Sequence, residues 1–358
     1  MRKAGLRVTV ALLAMVPSSA LAGKLAPKGT KVELAVAEKY ASWFQRQMLA
    51  LVGKGLDGFT EPVHEAMTQR MFGCDGDTED CLRSGRASDY VLAGVRWNDD
   101  PPFRISAGPG APKSCKAQET IRVTTQPKCW ADLFRAAAAK AARGESDNSS
   151  LLQRSHFGDL QFIHAMASAI DEPAEATQRR ILGWAEFTWR VTTGELPLAT
   201  EMADVPVPAV AERFEKTALR VQDLFTLGNV ALRRYLADVA FGSLLHMVQD
   251  SFAKGHAERL DPISRQECSG SNDAAPGALR EFHVYGLQDS HRHAEYDKGT
   301  ALAAHLLQSE PDVVDVGRRL LSYRDENASW ETVRPYVECV FRLEDPRPAS
   351  AGAGFEKR

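Results

Sequence analysis

The sequence lacks several motifs that assign a function class directly. It has no Gly-rich phosphate-binding loop, no Gly-x-Ser-x-Gly turn and no internal repeat, so it does not indicate a nucleotide-binding loop, a serine hydrolase of the α/β class or a repeat protein. It also lacks an excess of basic residues, because 44 Lys and Arg stand against 47 Asp and Glu. A general electrostatic affinity for nucleic acid is therefore not indicated.

Long apolar runs are also scarce, and the clearest one lies near the N-terminus. Residues 8–16 are mostly apolar, follow Arg2, Lys3 and Arg7, and precede the small residues of Ala20-Leu21-Ala22. This pattern is typical of a secretory signal peptide over residues 1–22. An uncleaved anchor is the alternative, but a bilayer span needs roughly 20 apolar residues. Since no later segment qualifies as a transmembrane helix, we expect a secreted or periplasmic protein.

The six cysteines form an even set, which in an exported chain favours disulfides. They are Cys74, Cys81, Cys115, Cys129, Cys268 and Cys339. The sequence does not determine the pairing. Two local pairs, Cys74 with Cys81 and Cys115 with Cys129, would close short loops and leave Cys268 to pair with Cys339. Zinc–thiolate binding is the alternative, but the chain has no Cys-x-x-Cys spacing to support it.

The hydrophobic pattern predicts an all-α fold with a single multi-helix domain over residues 23–345. Two apolar stripes have helical spacing, one over residues 36–51 and one that includes Ile181, Trp184 and Trp189. Residues 221–252 are interpreted as one long helix or two abutting helices. We expect a linker at 196–208, a long surface loop at 104–128 that could border a cleft, and a disordered tail at 346–358.

The segment around His246 carries the strongest chemical signal. His246 and Asp250 are four residues apart in an apolar segment, so on a helix they point the same way and could share one cation. Gly255 is a plausible helix stop that would let His256 turn back toward a second, neighbouring ion. The alternative is a buried His and Asp that bond each other.

A second histidine cluster contains two overlapping pairs with the same spacing. His291 pairs with Glu295 and His293 with Asp297, and the offset of two residues allows only one pair to face a given metal. We favour His293 and Asp297, with Asp289 or Ser290 as the helix N-cap.

Further candidates lie upstream. His64 is expected early in a helix that begins near Pro62, and Asp99 and Asp100 lie in a loop closed by prolines. His156 is expected near the start of another helix, with His164 further along. Each of these segments also has an ordinary interpretation. His64 could be an exposed first-turn histidine, the Asp99-Asp100 segment could be a simple turn, and one of His156 and His164 could be a core histidine.

The order and spacing of these residues resemble the zinc-dependent phospholipase C and S1/P1 nuclease superfamily, whose helical domain binds three zinc ions in one cleft. That family carries His-x-x-x-Asp and then a His six residues on, which matches His246, Asp250 and His256. Its next ligand helix carries His-x-x-x-Glu or His-x-x-x-Asp, which matches His293 and Asp297. The remaining counterparts are an early-helix His64, a loop Asp99 with Asp100 as an adjacent candidate, and a helix-start His156.

The resemblance implies hydrolysis of a phosphate ester with two or three zinc ions, which can clamp phosphate oxygens and lower the pKa of a bound water toward about 7. One zinc would be held by Asp99, His156, His246 and Asp250, a second by His256, His293 and Asp297, and a third by His64 with a bridging Asp250. Asp99, Asp100 and Asp250 are the predicted catalytic carboxylates, with Asp100 as general base or as support for a ligand. The family's N-terminal Trp has no counterpart here, and the new N-terminus, a water or His164 could replace it.

The expected substrate is a phosphate ester, with a phospholipid headgroup ahead of single-stranded nucleic acid. A single-strand nuclease would need aromatic stacking platforms and a positive groove, and the composition indicates no basic patch. A non-catalytic alternative is a metal-stabilised binding or toxin-like module. No stable protein partner is implied.

Overall fold

The computed structural model describes residues 62–108, 111–263, 266–296 and 310–357. Within these ranges the chain is mainly helical, with one two-stranded antiparallel sheet, in agreement with the predicted helical class. The predicted signal peptide and the stripe over residues 36–51 lie outside the described residues. In the described part, no helix has the length and apolar character needed to cross a membrane.

The elements follow one another in a simple order. The α-helices are α1 (Val63–Met71), α2 (Thr78–Ser84), α3 (Asp89–Val95), α4 (Pro127–Ala141), α5 (Leu151–Phe157), α6 (Ala174–Thr192), α7 (Pro208–Phe214), α8 (Val221–Thr226), α9 (Leu236–Asp250), α10 (Ser290–Tyr296), α11 (Val313–Asp325) and α12 (Trp330–Val340). In the described ranges, four 3₁₀ helices cover Gln161–His164, Met202–Asp204, Val230–Tyr235 and Tyr285–Leu287. The strands are β1 (Ala257–Arg259) and β2 (Leu279–Phe282).

The aromatic stripe predicted over residues 181–189 forms the inner face of α6. Ile181, Trp184 and Trp189 are fully buried there, and the Trp184 ring stacks on Trp97 with 5.7 Å between the ring centroids. Burial of such large rings is a major contribution to core stability. The stripe therefore belongs to the core, as its spacing predicts.

Residues 221–252 do not form one long helix. They divide into α8, the 3₁₀ helix Val230–Tyr235 and α9. The break falls at Gly228, whose φ of +79° is a left-handed conformation that favours glycine and cannot continue an α-helix. α9 is buried from Val239 to Asp250, and it packs between α3 and α6 as the central helix of the fold.

α3 and α9 pack backbone to backbone through two glycines. A Cβ atom on Gly94 would lie 2.1 Å from the carbonyl oxygen of Val239, and one on Gly242 would lie 2.1 Å from that of Val91. Since real Cβ atoms cannot approach so closely, both positions require glycine. The contact brings the segment that follows α3 next to the C-terminal half of α9.

The sheet and the C-terminal tail close one side of the fold. β1 and β2 are antiparallel, with Ala257 opposite Phe282. The predicted disorder of residues 346–358 was wrong for the part that is described, residues 346–357. The amide of Val284 donates to Ser350 O at 2.7 Å and the amide of Asp289 to Phe355 O at 2.7 Å. These long-range hydrogen bonds, and the burial of Phe355, hold a segment whose composition alone suggests a free tail.

Three disulfides connect the described residues, in the arrangement of two local pairs and one distant pair. They are Cys74–Cys81, Cys115–Cys129 and Cys268–Cys339. None of the six cysteines is free. This usage is compatible with an oxidising compartment. In the predicted loop 104–128, residues 104–108 and 111–126 lie outside the helices and named strands, residues 127–128 begin α4, and the Cys115–Cys129 disulfide ties the loop to that helix.

Candidate metal centre

Histidine and aspartate side chains from six parts of the chain converge beside α9. We call these residues the His–Asp cluster: His64, Asp99, His156, His164, His246, Asp250, His256 and His293. All eight are buried. Unpaired charges are rarely buried in proteins, so a buried collection of this kind points to mutual pairing or to a bound cation.

Two groups within the His–Asp cluster have the geometry to hold a metal ion. The first consists of His64, His246 and Asp250, and the second of Asp99, His156 and His164. In each group, one potential ligand atom per residue lies within 4.8 Å of the others. Imidazole nitrogen and carboxylate oxygen are the ligand types that suit zinc among the common protein metals.

The carboxylate of Asp250 is the centre of the arrangement. Its Oδ2 lies 2.8 Å from His164 Nδ1, 2.9 Å from His246 Nε2 and 3.6 Å from His256 Nδ1. Its Oδ1 lies 3.4 Å from His64 Nε2. The predicted sharing of one helix face by His246 and Asp250 is therefore confirmed, and Asp250 is placed to contribute to more than one ligand group.

Asp99 lies within reach of both groups. Its Oδ1 is 3.8 Å from His164 Nδ1 and 3.9 Å from both His156 Nε2 and His246 Nε2. These separations exceed hydrogen-bond length. They match the spacing of ligand atoms that face a common position rather than each other.

His256 and His293 extend the His–Asp cluster on one side, with 5.0 Å between their ring centroids. His293, the histidine of the preferred pair, is fully buried, whereas His291 and Glu295 of the other pair are exposed. Asp289 caps α10, since its carboxylate accepts hydrogen bonds from the amides of His291 and Arg292. Asp297, the predicted partner of His293, lies outside the described residues.

Several histidines are oriented through the ring nitrogen that faces away from the carboxylates. His64 Nδ1 lies 2.7 Å from Gln249 Oε1, and the amide of Gln249 donates to Thr68 Oγ1. His156 Nδ1 lies 3.0 Å from Leu152 O, on the preceding turn of α5. A hydrogen bond of this kind fixes the tautomer and leaves Nε2 without a proton for a metal, as in most protein zinc sites.

Nδ1 also anchors the two histidines on the other side, although in His256 this is the nitrogen that lies 3.6 Å from Asp250 Oδ2. His256 Nδ1 lies 2.8 Å from His164 O, and His293 Nδ1 lies 2.6 Å from Gln288 Oε1. The Gln288 amide in turn donates to Gly255 O and Ala351 O. In the described part of the chain, His156 Nε2 and His246 Nδ1 are buried without a hydrogen-bond partner. Such buried nitrogens require a ligand or another explanation.

A buried polar network ties the Asp99 segment to α9. Asn98 donates to Ile163 O at 2.7 Å, and Ser243 Oγ donates to Asn98 Oδ1 at 2.6 Å. Ser243 Oγ also accepts from the indole of Trp184. Every partner in this network is buried, so its geometry is strongly constrained. It sets the position of Asp99 relative to His246.

A buried ion pair adds a second constraint on the same segment. Arg96 Nη1 lies 2.8 Å from Glu65 Oε1, and both residues are buried. Glu65 follows His64 on α1, whereas Arg96 caps α3 just before the Asp99 loop. The ion pair therefore fixes the position of α1, which carries His64, relative to the loop that carries Asp99.

The electrostatic environment favours neutral imidazoles around an ionised carboxylate. Burial lowers the pKa of His246 to about 3 and that of His156 well below its usual value. Burial opposes ionisation of Asp250, but His246 and His256, with hydrogen bonds from His164 and His246, hold its pKa well below the usual range. Metal ligands need these protonation states near neutral pH.

One part of the predicted site assignment needs correction. The Asp100 carboxylate is not in the His–Asp cluster, because it accepts hydrogen bonds from Arg122 Nε at 3.2 Å and from the amide of Val123 at 2.9 Å. A general-base role for Asp100 therefore has no geometric support. His246 lies in one candidate group with His64 and Asp250, and His164 lies in the other with Asp99 and His156, while His246 Nε2 is also 3.9 Å from Asp99 Oδ1.

The sequence predicts His164 as a core residue or as a replacement for the family's N-terminal Trp. His164 enters the His–Asp cluster because a 3₁₀ helix carries it and Ala165, with φ of +50°, turns the chain directly after it. The supporting residues Asn98, Gln249 and Gln288 were not predicted. For Gln249 the sequence offers one weak signal, its position next to Asp250 on the central helix.

Comparisons with protein-family models, with curated proteins and with solved structures find no match to this chain.

Proposed function

We propose that this chain is an exported, zinc-dependent phosphoric ester hydrolase of the phospholipase C type. The observation that carries the proposal is the convergence of four imidazoles on one buried carboxylate: Asp250 lies within 3.6 Å of nitrogens from His64, His164, His246 and His256. A structural carboxylate needs one or two partners. Four histidines and a second aspartate nearby are better explained by a multi-metal centre.

The donor set fits zinc. The ligand atoms are imidazole nitrogens and carboxylate oxygens with no thiolate, which corresponds to catalytic rather than structural zinc sites. The outward nitrogens are oriented by amide and carbonyl oxygens, and the buried Nε2 of His156 has no hydrogen-bond partner among the described residues. These features match the support that protein metal sites give to their ligands.

We assign the residues as follows. One ion would be held by Asp99, His156 and His164, a second by His64, His246 and Asp250, and a third by His256 and His293 with a further ligand such as Asp297. When bound, zinc acts as a Lewis acid toward phosphate oxygens and makes water more acidic. Asp250 links the groups, while Asn98, Gln249 and Gln288 hold the ligands in place.

A lipid phosphodiester is the first choice of substrate. In the described part of the chain, Tyr296 is the one aromatic side chain among the exposed large hydrophobic residues. A single-strand nuclease stacks bases on several exposed aromatic rings, and the overall charge of −3 gives little attraction for a polyanion. Single-stranded nucleic acid is the alternative substrate.

A non-catalytic, metal-stabilised module is the second candidate function. It is favoured by the burial of the His–Asp cluster, since His246, His256 and His293 have no exposed surface and Asp99 has 3%. A structural metal site is closed in this way, whereas a catalytic site keeps one position open to substrate.

The deciding experiment combines metal analysis with turnover. The purified mature protein is analysed for zinc by mass spectrometry and assayed on a chromogenic phosphodiester, before and after chelation and after zinc is restored. We expect bound zinc and zinc-dependent hydrolysis. Bound zinc without turnover would support the metal-stabilised module, and a protein without bound zinc would contradict both candidates.

The substrate is tested on the same preparation. Release of phosphocholine from phosphatidylcholine is compared with digestion of single-stranded DNA. We expect the lipid to be cleaved, and activity on DNA alone would replace the first choice with the nuclease.

A further inference from the structure

A second polar cleft lies apart from the His–Asp cluster. It has a volume of about 830 Å³ and is bounded by the 102–126 segment on one side and by α8 and the 3₁₀ helix Val230–Tyr235 on the other. None of the eight residues of the His–Asp cluster lines it. Cavities that bind small organic molecules usually have this size.

The lining carries more positive than negative charge. Four basic side chains, Arg104, Lys116, Arg122 and Arg233, stand against Glu119 and Asp223. Both carboxylates have partners, because Arg233 Nη2 lies 2.7 Å from Asp223 and Lys116 Nζ lies 3.8 Å from Glu119.

The two remaining cations, Arg122 and Arg104, differ in whether they have a partner. Arg122 donates to Asp100 behind the cleft wall. Arg104 is exposed and makes no hydrogen bond or ion pair within the described ranges. The cleft therefore holds uncompensated positive charge, which attracts anions.

Asn229 provides an independent sign of a ligand. It is 9% exposed, lines the cleft, and its Oδ1 is buried without a hydrogen-bond partner in the part of the chain described. Arg233 Nε is also buried without a hydrogen-bond partner among the described residues. Buried polar atoms are nearly always hydrogen-bonded in folded proteins, so these two atoms beside the cleft require a partner, which a polar ligand there would supply.

Apolar side chains form part of the remaining lining, beside polar ones such as Gln118, Thr124 and Thr226. Pro102, Phe225, Leu227 and Leu232 contribute to the walls. Leu227 is half-buried and Val230 is 65% exposed, so a bare inorganic ion would leave these two apolar side chains in contact with water, whereas an organic group would cover them. The lining therefore fits a molecule with both a charged and an apolar part.

The walls are fixed in place before any ligand binds. Gln126 accepts a hydrogen bond from the amide of Lys116 at 2.8 Å, next to the Cys115–Cys129 disulfide. On the opposite side, a Cβ atom on Gly228 would lie 2.3 Å from Thr120 Oγ1, so the two walls touch there. Such preorganisation lowers the entropy cost of binding.

We propose that this cleft binds a small organic oxyanion, of the carboxylate or phosphate type, that carries an apolar group. Arg104 and Arg233 contact the oxyanion, since the arginine fork matches its paired oxygens. Asn229 hydrogen-bonds the polar edge of the ligand, and Leu227 and Val230 cover its apolar part. The proposal is independent of the phosphoric ester hydrolase, because it involves no residue of the His–Asp cluster.

Isothermal titration calorimetry on the mature, zinc-containing protein tests the proposal. The ligands are benzoate and phenylphosphonate, which is not hydrolysed, with benzyl alcohol as the neutral analogue. We expect saturable binding of at least one oxyanion and none of the alcohol. R104Q and R233Q should each weaken binding by about tenfold. R104Q changes an exposed side chain, so its folding is not at risk.

R179Q is the matched control, because Arg179 is an exposed arginine that lines a different cavity of about 540 Å³ beside α6. It should bind as the parent protein does. The proposal is overturned if neither oxyanion binds, or if R104Q and R233Q bind like R179Q. It is also overturned if binding is lost in D250N but kept in both arginine variants, since the ligand would then bind at the His–Asp cluster.

Discussion

Gly94 on α3 and Gly242 on α9 face each other so closely that a Cβ atom on Gly242 would lie 2.8 Å from the carbonyl carbon of Gly94. This contact determines how near the loop that carries Asp99 comes to the helix that carries His246 and Asp250. The separation of 3.9 Å between Asp99 Oδ1 and His246 Nε2 therefore depends on these two glycines.

The first prediction concerns this helix contact. G242A should lower the free energy of unfolding by about 1–3 kcal/mol, because the added methyl group forces the two backbones apart. Urea unfolding measures this change, and metal analysis should show reduced zinc content in the same variant. G108A is the control, since a Cβ atom there meets nothing within 4 Å. Equal stability of the two variants would contradict the close packing.

The second prediction concerns the central carboxylate. D250N should reduce zinc occupancy at more than one position and lower phosphodiesterase turnover by about 100-fold or more, because Asp250 faces four imidazoles. Metal stoichiometry and turnover are measured on the same sample. D204N changes an exposed carboxylate and should match the parent. Full zinc content in D250N would refute the shared-ligand role.

The third prediction concerns the support of His64. Q249L removes the oxygen that lies 2.7 Å from His64 Nδ1 and should weaken zinc binding by about 10–100-fold. Q249E keeps an acceptor and should restore most of the affinity. Competition with a chromogenic chelator measures these affinities. Q178L is the control, because it removes the hydrogen bond that the Gln178 side chain, on α6, donates to Phe341 O. This variant should bind zinc normally.

The fourth prediction concerns pH. Burial lowers the pKa of His246 to about 3 from 6.5, so the unfolded chain binds a proton that the folded chain does not. The free energy of unfolding of metal-free protein should therefore fall as the pH decreases from about 6.5 toward 3, and should not change through this group above that range. Asp250, whose pKa is also lowered, adds to the loss only below its ordinary value of 3.8.

Urea midpoints of chelator-treated protein between about pH 4 and 8 test this dependence. H246Q removes the titrating group and should show a shallower slope over the same range. A slope unchanged by H246Q would assign the acid sensitivity to other groups.

The fifth prediction concerns the disulfides. Cys268–Cys339 closes a sequence separation of 71 residues, whereas Cys74–Cys81 closes one of 7. Replacing both cysteines of the long-range pair by serine should cost about 2 kcal/mol more stability than the same change in the short pair, because the entropy of loop closure grows with loop length. Chemical unfolding of the two double variants measures the difference. A larger loss from the short pair would argue that strain or contacts dominate.

Local periodicity explains why part of the His–Asp cluster could be predicted. His246 and Asp250 are related by one helical turn, so their common direction follows from the helix alone. The preference for His293 over His291 also follows from helix geometry and a cap. Neither inference requires knowledge of distant contacts.

The features that sequence could not supply depend on contacts between distant segments. Asp99 and Asp100 are adjacent carboxylates, and only the position of Arg122 distinguishes the one that joins the His–Asp cluster from the one that does not. His164 enters through a 3₁₀ turn that leaves no periodic pattern. The tail beyond Asp345 is held by hydrogen bonds to residues 284–292 that composition cannot reveal.

The anchoring of the tail has a practical consequence for work on this protein. The side-chain amide of Gln288 orients His293. Its Nε2 donates to Ala351 O at 2.7 Å and to Gly255 O at 2.6 Å. Proteolytic trimming back to Ser350 would remove one of these two acceptors and loosen the ring of His293. Intact mass should therefore be verified for each preparation before a metal stoichiometry is interpreted.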